Sequence, residues 1–294
     1  MSSFLRKSNI IARATNTYLK NVFSKQENHS SLIKPMKYSI FSGGKKFRSN
    51  IVVNTGKIFG INYKKLIIIG AAIECIHSYS LVHDDLPSMD NDNFRRGKPS
   101  THKKFNEFTA ILAGNSLLTL AFEILSGNDL KLSQKIKSDL IQTLANCSGH
   151  SGLAGGQYSD LTFERKNISK KNIINMQKKK TGKLFGFCCE SVAIVKGLNI
   201  KKRKLLREIG LQIGLLFQIM DDLIDYEGSS AIVGKPTKKD IKKGKATLVS
   251  LLGYNECLNF ATNVKKKIDQ QIKKYGTKAD DLLKSVEFIL KRKF

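Results

Sequence analysis

"LIIIGAAIECIHSYSLVHDD" (66–85) is apolar through almost all of its length and then ends in two aspartates. Apolar residues would cover every face of a helix drawn through this stretch, which is typical of a helix buried inside a protein. Pro87 disfavours a helical conformation at Leu86, so this helix is predicted to end near Asp85. Similar apolar helices are predicted at 109–125, 183–197 and 204–226. Strand-like alternation is scarce, so the sequence predicts an all-α fold of roughly ten or more helices.

Glycine and proline divide these helices from one another. Their clusters predict loops at 42–46, 86–100, 151–157 and 233–247. A further basic segment, 178–182, is also expected in a loop. No internal repeat or low-complexity linker is present, which favours one domain.

The chain of 294 residues carries 51 Lys+Arg against 24 Asp+Glu, a formal net charge of +27. Such an excess suits a nucleic acid, a membrane surface or a small polyanion. Lys, Asn and Ile are all plentiful and share A/T-rich codons, so a biased genome accounts for much of the charge in runs such as 201–204. Basic patches interleaved with aromatic residues, and known nucleic-acid modules, are not found, so we expect no nucleic-acid partner.

The five cysteines are scattered and form no CxxC pair. This pattern favours free thiols in a reducing compartment over disulfides or a zinc site. The first residues lack the apolar core of a secretory signal, and the longest apolar run, 66–73, is shorter than the ~20 residues that a membrane span needs. We therefore expect a cytoplasmic protein without a membrane span.

Acidic residues gather at the ends of two apolar helices. The first cluster is Asp84 and Asp85, to which Asp90 returns from the following loop; the second, in "FQIMDDLIDYEG" (217–228), holds Asp221, Asp222 and Asp225. Helix C-termini disfavour anions, so a divalent cation is the natural compensation. Taken alone, either cluster could be a solvated helix end or a set of ion pairs with lysines. Two such clusters suggest a polyphosphate held between magnesium ions.

Basic residues in the predicted loops could grip phosphate directly. Arginine forms bidentate hydrogen bonds to phosphate, whereas lysine acts as a point charge. The candidates are Lys45 and Arg48 in "GGKKFRS" (43–49), Arg95 and Arg96 in "RRG", Lys180 and Thr181 in "KKKTG", and Lys235 and Lys245.

Seven segments occur in an order that resembles the trans-isoprenyl diphosphate synthases, most closely the bacterial farnesyl type. They include "GGKKFRS", "HDDLPSMDNDNFRRG", "GGQYSDL", "KKKTGKLF" and "FQIMDDLIDYEG". The resemblance implies the isoprenoid synthase fold, with helices around a deep central cavity. It further implies a single polyprenyl synthetase domain over 1–294, a homodimer, and more than one Mg²⁺ per subunit.

The resemblance also implies a role for each matched residue. Isopentenyl diphosphate would bind at Lys45, Arg48, His77 and Arg96, with Gly44 beside them. An allylic diphosphate would bind at Arg95, Lys180, Thr181, Gln218, Lys235 and Lys245. The metal ligands would be Asp84, Asp85, Asp90, Asp221, Asp222 and Asp225. Catalysis would depend most on Asp84, Asp85, Asp90, Arg95, Lys180 and Asp221.

Product length is the next expectation. Tyr79 and Ser80 stand five and four residues before Asp84, where a bulky side chain floors the product tunnel in this family. With the two extra residues in "DDLPSMD", Tyr79 indicates farnesyl diphosphate, made from isopentenyl diphosphate and dimethylallyl or geranyl diphosphate. The alternatives are a plain core role for Tyr79, a geranyl or geranylgeranyl synthase, a non-catalytic regulatory subunit, a terpene cyclase and a basic nucleic-acid binder.

Overall fold

A computed structural model describes residues 3–25, 31–227 and 244–292. Apart from one short strand pair, the regular structure of these ranges is helical, which confirms the all-α class. The first helices are α1 (Ser3–Ser24), α2 (Ile33–Ile40), α3 (Phe47–Ile58), α4 (Tyr63–Asp84), α5 (Thr101–Lys104), α6 (Glu107–Ser126) and α7 (Gln134–Ser148). They are followed by α8 (Leu153–Thr162), α9 (Lys170–Gln177), α10 (Lys183–Lys196), α11 (Ile200–Glu227), α12 (Leu248–Leu252), α13 (Tyr254–Ile272) and α14 (Asp280–Lys291). Strands β1 (Phe94–Arg95) and β2 (Lys98–Pro99) form an antiparallel hairpin.

The chain folds as two compact units. The first consists of the described residues within 1–56 and 60–141, and the second of those within 57–59 and 142–294. The prediction of one domain over 1–294 stays a prediction.

Helix α4 is the centre of the first unit and packs against α1, α2 and α6. It begins after Asn62, whose side chain accepts a hydrogen bond from the Lys64 amide at 2.9 Å, and it ends at Asp84 as predicted. Its residues from Leu66 to Ile76 are all buried, because an apolar residue stands at nearly every position of each turn. The end of this helix therefore has a rigid support.

The mean hydropathy of whole helices identifies two candidate membrane spans that the count of consecutive apolar residues did not identify. Among the described residues, α4 and α6 are long and apolar enough to cross a membrane. The apolar window of α4 is 78% buried within the fold, as expected of a core helix, whereas that of α6 is 44% buried. Length and composition do not separate the two helices; their packing does.

In the second unit, α10 and α11 lie in close contact along their length. A Cβ atom on Gly210 would stand 2.3 Å from the Phe185 carbonyl oxygen, and one on Gly214 would stand 2.7 Å from the Cα of Gly182. Glycine is therefore required for the two backbones to approach this closely. The contact fixes the face of α11 that ends in the second acidic cluster.

Two of the predicted loops are helical instead. Helix α8 already begins at Leu153, and residues 178–182 form a π-helical turn that joins α9 to α10. Helix packing explains the error, because a Cβ atom on Gly156 would lie 2.1 Å from the Lys180 amide nitrogen. This glycine allows close contact rather than a turn. Residues 42–46 and 86–100 contain no helix, as predicted, although 86–100 includes the β1–β2 hairpin, and 233–243 lie outside the described residues.

All five cysteines are free and buried, which confirms the prediction of free thiols. Burial raises the pKa of Cys147 and of Cys257 to about 12. These thiols are therefore protonated and unreactive at neutral pH.

Candidate active site

The first acidic cluster forms where the loop after α4 folds back onto the end of that helix. The Asp90 amide donates to the Asp84 carbonyl at 2.8 Å, and the Asp92 amide donates to the Asp85 carbonyl at 3.1 Å. Asp90 therefore returns to Asp84, as the sequence predicted. The Asp84 and Asp90 side chains are half-buried, so their oxygens can reach a ligand.

Asp85 is more deeply buried than Asp84 and Asp90, and it pairs with Arg95. Arg95 Nε lies 3.1 Å from Asp85 Oδ1, and Arg95 Nη2 contacts the same oxygen. Burial raises the pKa of Asp85, and the Arg95 guanidinium partly offsets this effect. The pair fixes the RRG hairpin against the end of α4. The roles predicted for Asp85 in metal binding and for Arg95 in phosphate binding stay predictions.

Arg96 occupies a two-residue turn between β1 and β2, where Arg96 has φ 52° and Gly97 has φ 73°. Its Nη1 donates to the Gly43 carbonyl at 2.7 Å. A Cβ atom on Gly44 would stand 2.5 Å from the same Nη1 atom. The glycine pair before Lys45 therefore makes room for the Arg96 guanidinium, and Lys45 itself is exposed beside it.

The sequence argument missed Glu74, a buried carboxylate of α4 that binds the start of α3. One oxygen, Oε1, accepts the backbone amides of Arg48 at 3.1 Å and Ser49 at 3.2 Å. These amides lack partners within their own helix, so Glu74 fixes the position of Arg48. The sequence feature that could have identified Glu74 is its position in "ECIH", one helical turn before His77.

His77, on α4, lies near the positive charges of Arg48, Arg96 and Lys46. Burial lowers its pKa well below the usual value, and the charges of Arg48, Arg96 and Lys46 lower it further. The imidazole is therefore neutral at pH 7. It can donate a hydrogen bond to an anion without adding to the crowded positive charge.

Tyr79 and Ser80 lie one turn before the end of α4. The Tyr79 ring meets the His83 ring edge-on with centroids 5.2 Å apart, and burial raises the pKa of its hydroxyl. Ser80 is buried and donates to the His77 carbonyl at 2.9 Å. The role of Tyr79 and Ser80 in setting product length stays a prediction.

The second unit contains a buried cluster in which two lysines share one carboxylate. Lys180 Nζ and Lys245 Nζ lie 2.6 Å and 3.0 Å from Asp160 Oδ2. Burial alone would raise the pKa of Asp160, but the two ammonium groups lower it to about 2. Sequence reasoning selected both lysines and missed Asp160, although "GGQYSDL" contains it.

A chain of hydrogen bonds continues from this cluster. Thr181 Oγ1 donates to Gln218 Oε1 at 2.7 Å, and Gln218 Nε2 donates to Asp222 Oδ1 at 2.8 Å. Gln177, which the sequence argument also missed, donates to Asp222 Oδ2 at 2.7 Å. Both Asp222 oxygens are thus engaged by amides. A cavity of about 50 Å³ lies here, lined in part by Asp160, Lys180, Lys245, Gln218 and Asp222.

Asp221 and Asp225 complete the second cluster in the last turns of α11. Asp225 is buried, whereas the Asp221 side chain is 47% exposed and contacts Arg292, with Nη2 at 2.7 Å from Oδ1. Arg292 stands near the chain end and carried no motif, so sequence reasoning missed it. Lys235 lies outside the described residues.

Comparisons with known proteins agree with these features. The polyprenyl synthetase family profile matches residues 29–289. The farnesyl diphosphate synthase of Geobacillus stearothermophilus is 38% identical over 252 residues, covering 84% of this chain and 85% of that protein. An FPP/GFPP synthase from Zymomonas mobilis has a TM-score of 0.86 at 36% identity, over 98% of this chain and 100% of that one. A Helicobacter pylori geranyltransferase complexed with magnesium and isoprenyl diphosphate has a TM-score of 0.82 at 29% identity, over 99% and 97%.

The Asp160 cluster makes a prediction about acid stability. Because the folded-state pKa of Asp160 is about 2, below the 3.8 of a free aspartate, the charged carboxylate stabilises the fold above pH 4. Asp160→Asn should lower the free energy of unfolding at pH 7 by about 2 kcal/mol. The deficit should shrink as the pH falls from 4 to 2, since the wild-type carboxylate then becomes protonated.

Urea unfolding of both proteins at several pH values measures this difference. Glu256→Gln, at an exposed carboxylate, is the matched control and should cost little at any pH. Equal stability at pH 7, or a deficit that stays constant down to pH 2, would contradict the prediction.

Proposed function

Because the chain belongs to the polyprenyl synthetase family, we propose that it condenses isopentenyl diphosphate with dimethylallyl or geranyl diphosphate, giving (2E,6E)-farnesyl diphosphate and diphosphate. The observation that carries the proposal is the convergence of Lys180 and Lys245 on buried Asp160 beside a cavity. Ammonium groups fixed so close together suit the clustered charge of a diphosphate. The farnesyl diphosphate synthase relatives support the reaction and the product of fifteen carbons.

The second unit would hold the allylic diphosphate as the leaving group. Its C–O bond must break before the new C–C bond forms, so negative charge grows on the departing oxygen. Lys180 and Lys245 are fixed by Asp160 and can stabilise this charge without rearranging. The Thr181 hydroxyl donates a hydrogen bond to Gln218, so the lone pairs of the Thr181 oxygen are available to face the allylic cation. We assign Arg95 and Lys235 to the same diphosphate from the family resemblance.

The first unit would hold isopentenyl diphosphate, which keeps its diphosphate. Lys45, Arg48 and Arg96 supply the positive charge, and Gly44 lets Arg96 approach the backbone. His77 is neutral and would donate one hydrogen bond. The double bond of isopentenyl diphosphate attacks the allylic cation. A proton then leaves the new product for the departing diphosphate, so no protein base is assigned.

The carboxylates fit magnesium as a partner of the substrate rather than a metal held by protein alone. Within the described ranges, no three His, Cys, Asp or Glu side chains converge on one point. Mg²⁺ typically takes one or two carboxylates and completes its shell with water and phosphate oxygens. Asp221 is exposed and Asp84 and Asp90 are only half-buried, so we propose these three as the direct ligands.

Asp85, Asp222 and Asp225 are buried and would support the direct ligands or bind the metal themselves. When bound, Mg²⁺ neutralises the diphosphate charge as a Lewis acid and makes it a better leaving group. We propose more than one ion per subunit, since carboxylates stand at two helix ends. The magnesium in the Helicobacter pylori complex supports its use here.

We also propose a cytoplasmic homodimer. The outward face of α6 carries Phe108, Ile111 and Leu112, which are 66%, 42% and 45% exposed. An apolar patch of this kind on a helix marks an interaction surface, and a second copy of the chain would cover it. The five free thiols favour a reducing compartment.

Catalysis should depend on both acidic clusters. Asp84→Ala or Asp221→Ala should each lower turnover by about two orders of magnitude or more, because the charge of the leaving group would no longer be neutralised. Incorporation of labelled isopentenyl diphosphate in the presence of Mg²⁺ measures this. Glu256→Ala serves as the control. Near-normal turnover in both folded aspartate variants would reject the proposed reaction.

Product length should follow the size of residue 79. Tyr79→Ala removes the aromatic ring beside His83, so the growing chain should extend and the products should shift from fifteen carbons toward twenty or more. Chromatography of dephosphorylated products measures this shift. Tyr63→Ala changes an exposed tyrosine of the same helix and should leave product length unaltered. Unchanged products from Tyr79→Ala would leave Tyr79 with a core role alone.

The oligomeric state should depend on α6. Leu112→Asp places a charge in the proposed interface and should shift the protein from dimer to monomer in sedimentation velocity. Leu251→Asp, at a leucine 47% exposed in the second unit, should leave the dimer intact. A wild-type monomer, or a dimer that survives Leu112→Asp, would exclude this interface.

A further inference from the structure

Arg292 lies directly after α14 and contacts α11 at three points, one of which is in the second acidic cluster. Its Nη2 is 2.7 Å from Asp221 Oδ1 and donates to the Phe217 carbonyl at 2.6 Å. Its Cζ lies 3.8 Å from the centroid of the Phe217 ring. The Arg292 side chain is only 8% exposed, whereas that of Asp221 is 47% exposed. The cation is therefore buried against a carboxylate that stays open to solvent.

The two charges compensate each other. A buried guanidinium needs a counter-ion, and a carboxylate at the C-terminal end of a helix needs a cation. Arg292 and Asp221 meet both needs without a metal. A fixed positive charge beside this carboxylate also repels any cation that approaches it.

The arrangement leaves the guanidinium incompletely bonded. Arg292 Nε is buried and has no hydrogen-bond acceptor within the described part of the chain. A fully bonded guanidinium would lose more when moved than one with an unused donor.

We propose that Arg292 is a built-in counter-ion that competes with Mg²⁺ for Asp221. The C-terminal arginine thereby sets the metal concentration at which the second acidic cluster is loaded. The inference rests on the proposed function in taking Mg²⁺ with a diphosphate as the ligand. It adds Arg292, a residue outside the motifs, as a determinant of the Mg²⁺ affinity of the second acidic cluster.

Removal of the arginine charge should strengthen metal binding while weakening the metal-free fold. In EDTA, Arg292→Gln should have a lower melting temperature than wild type, because Asp221 loses its partner. Titration with MgCl₂ and inorganic diphosphate should then raise the melting temperature by more than in wild type. The half-saturating Mg²⁺ concentration should fall by about threefold to tenfold.

Two variants separate charge from other effects. Arg292→Lys keeps the charge without the planar fork and should have a half-saturating Mg²⁺ concentration close to that of wild type. Lys291→Gln removes the neighbouring cation, which pairs with Glu287 and is 73% exposed, and should change neither property. A purely structural role for Arg292 would lower the melting temperature equally at every Mg²⁺ concentration. That result, or an unchanged or higher half-saturating concentration in Arg292→Gln, would overturn the proposal.

Hydrogen exchange on the wild-type chain tests the same idea if Arg292→Gln does not fold. Peptides covering 280–292 should exchange faster with Mg²⁺ and inorganic diphosphate than in EDTA, and unchanged or slower exchange would overturn the proposal.

Different results would reject the proposed function and the proposed competition. A chain that binds Mg²⁺ and diphosphate but forms no prenyl product would reject the proposed function. A chain that makes farnesyl diphosphate, with the same Mg²⁺ requirement in Arg292→Gln, would reject only the competition.

Discussion

Negative charge at the C-terminal ends of apolar helices is the constraint on which the candidate site depends. The helix dipole and the apolar surroundings both disfavour carboxylates there, so each one requires a compensating group. Asp85 is compensated by Arg95, and Asp221 by Arg292. Asp222 is held by two side-chain amides instead. The chain thus supplies internal partners for acids that it would also offer to a metal.

The same logic applies in reverse to the positive charges. Lys180 and Lys245 would repel each other if Asp160 did not lie between them. The cations around His77 are tolerated because that imidazole stays neutral and Glu74 lies close to them. A diphosphate that arrived at either group would find its counter-charges already in position. Preorganised charge of this kind avoids the cost of reorienting groups during the reaction.

The sequence predicted the long helices well, because α4 and α11 are apolar over many turns and this pattern has no competing interpretation. It also predicted that Asp90 returns to Asp84, since Pro87 ends the helix and the loop is short. It failed where glycine serves helix contact rather than a turn, as at Gly156, and so missed the start of α8. Asp160 and Arg292 were missed because their partners are distant in sequence. Neighbouring residues do not reveal such pairings.

The π-helical turn at 178–182 has a consequence for the chain's tolerance of length changes. A π turn contains about one residue more than an α turn, so deletion of one residue there would restore ordinary helix. An α turn with one residue fewer spans nearly the same rotation as the π turn, so α9 and α10 would keep their relative orientation and the change would fall on the turn itself. Lys180 would then shift relative to Asp160, and the backbone against which Gly156 packs would become narrower. Surface loops commonly accept insertions and deletions, whereas this segment has a fixed residue count.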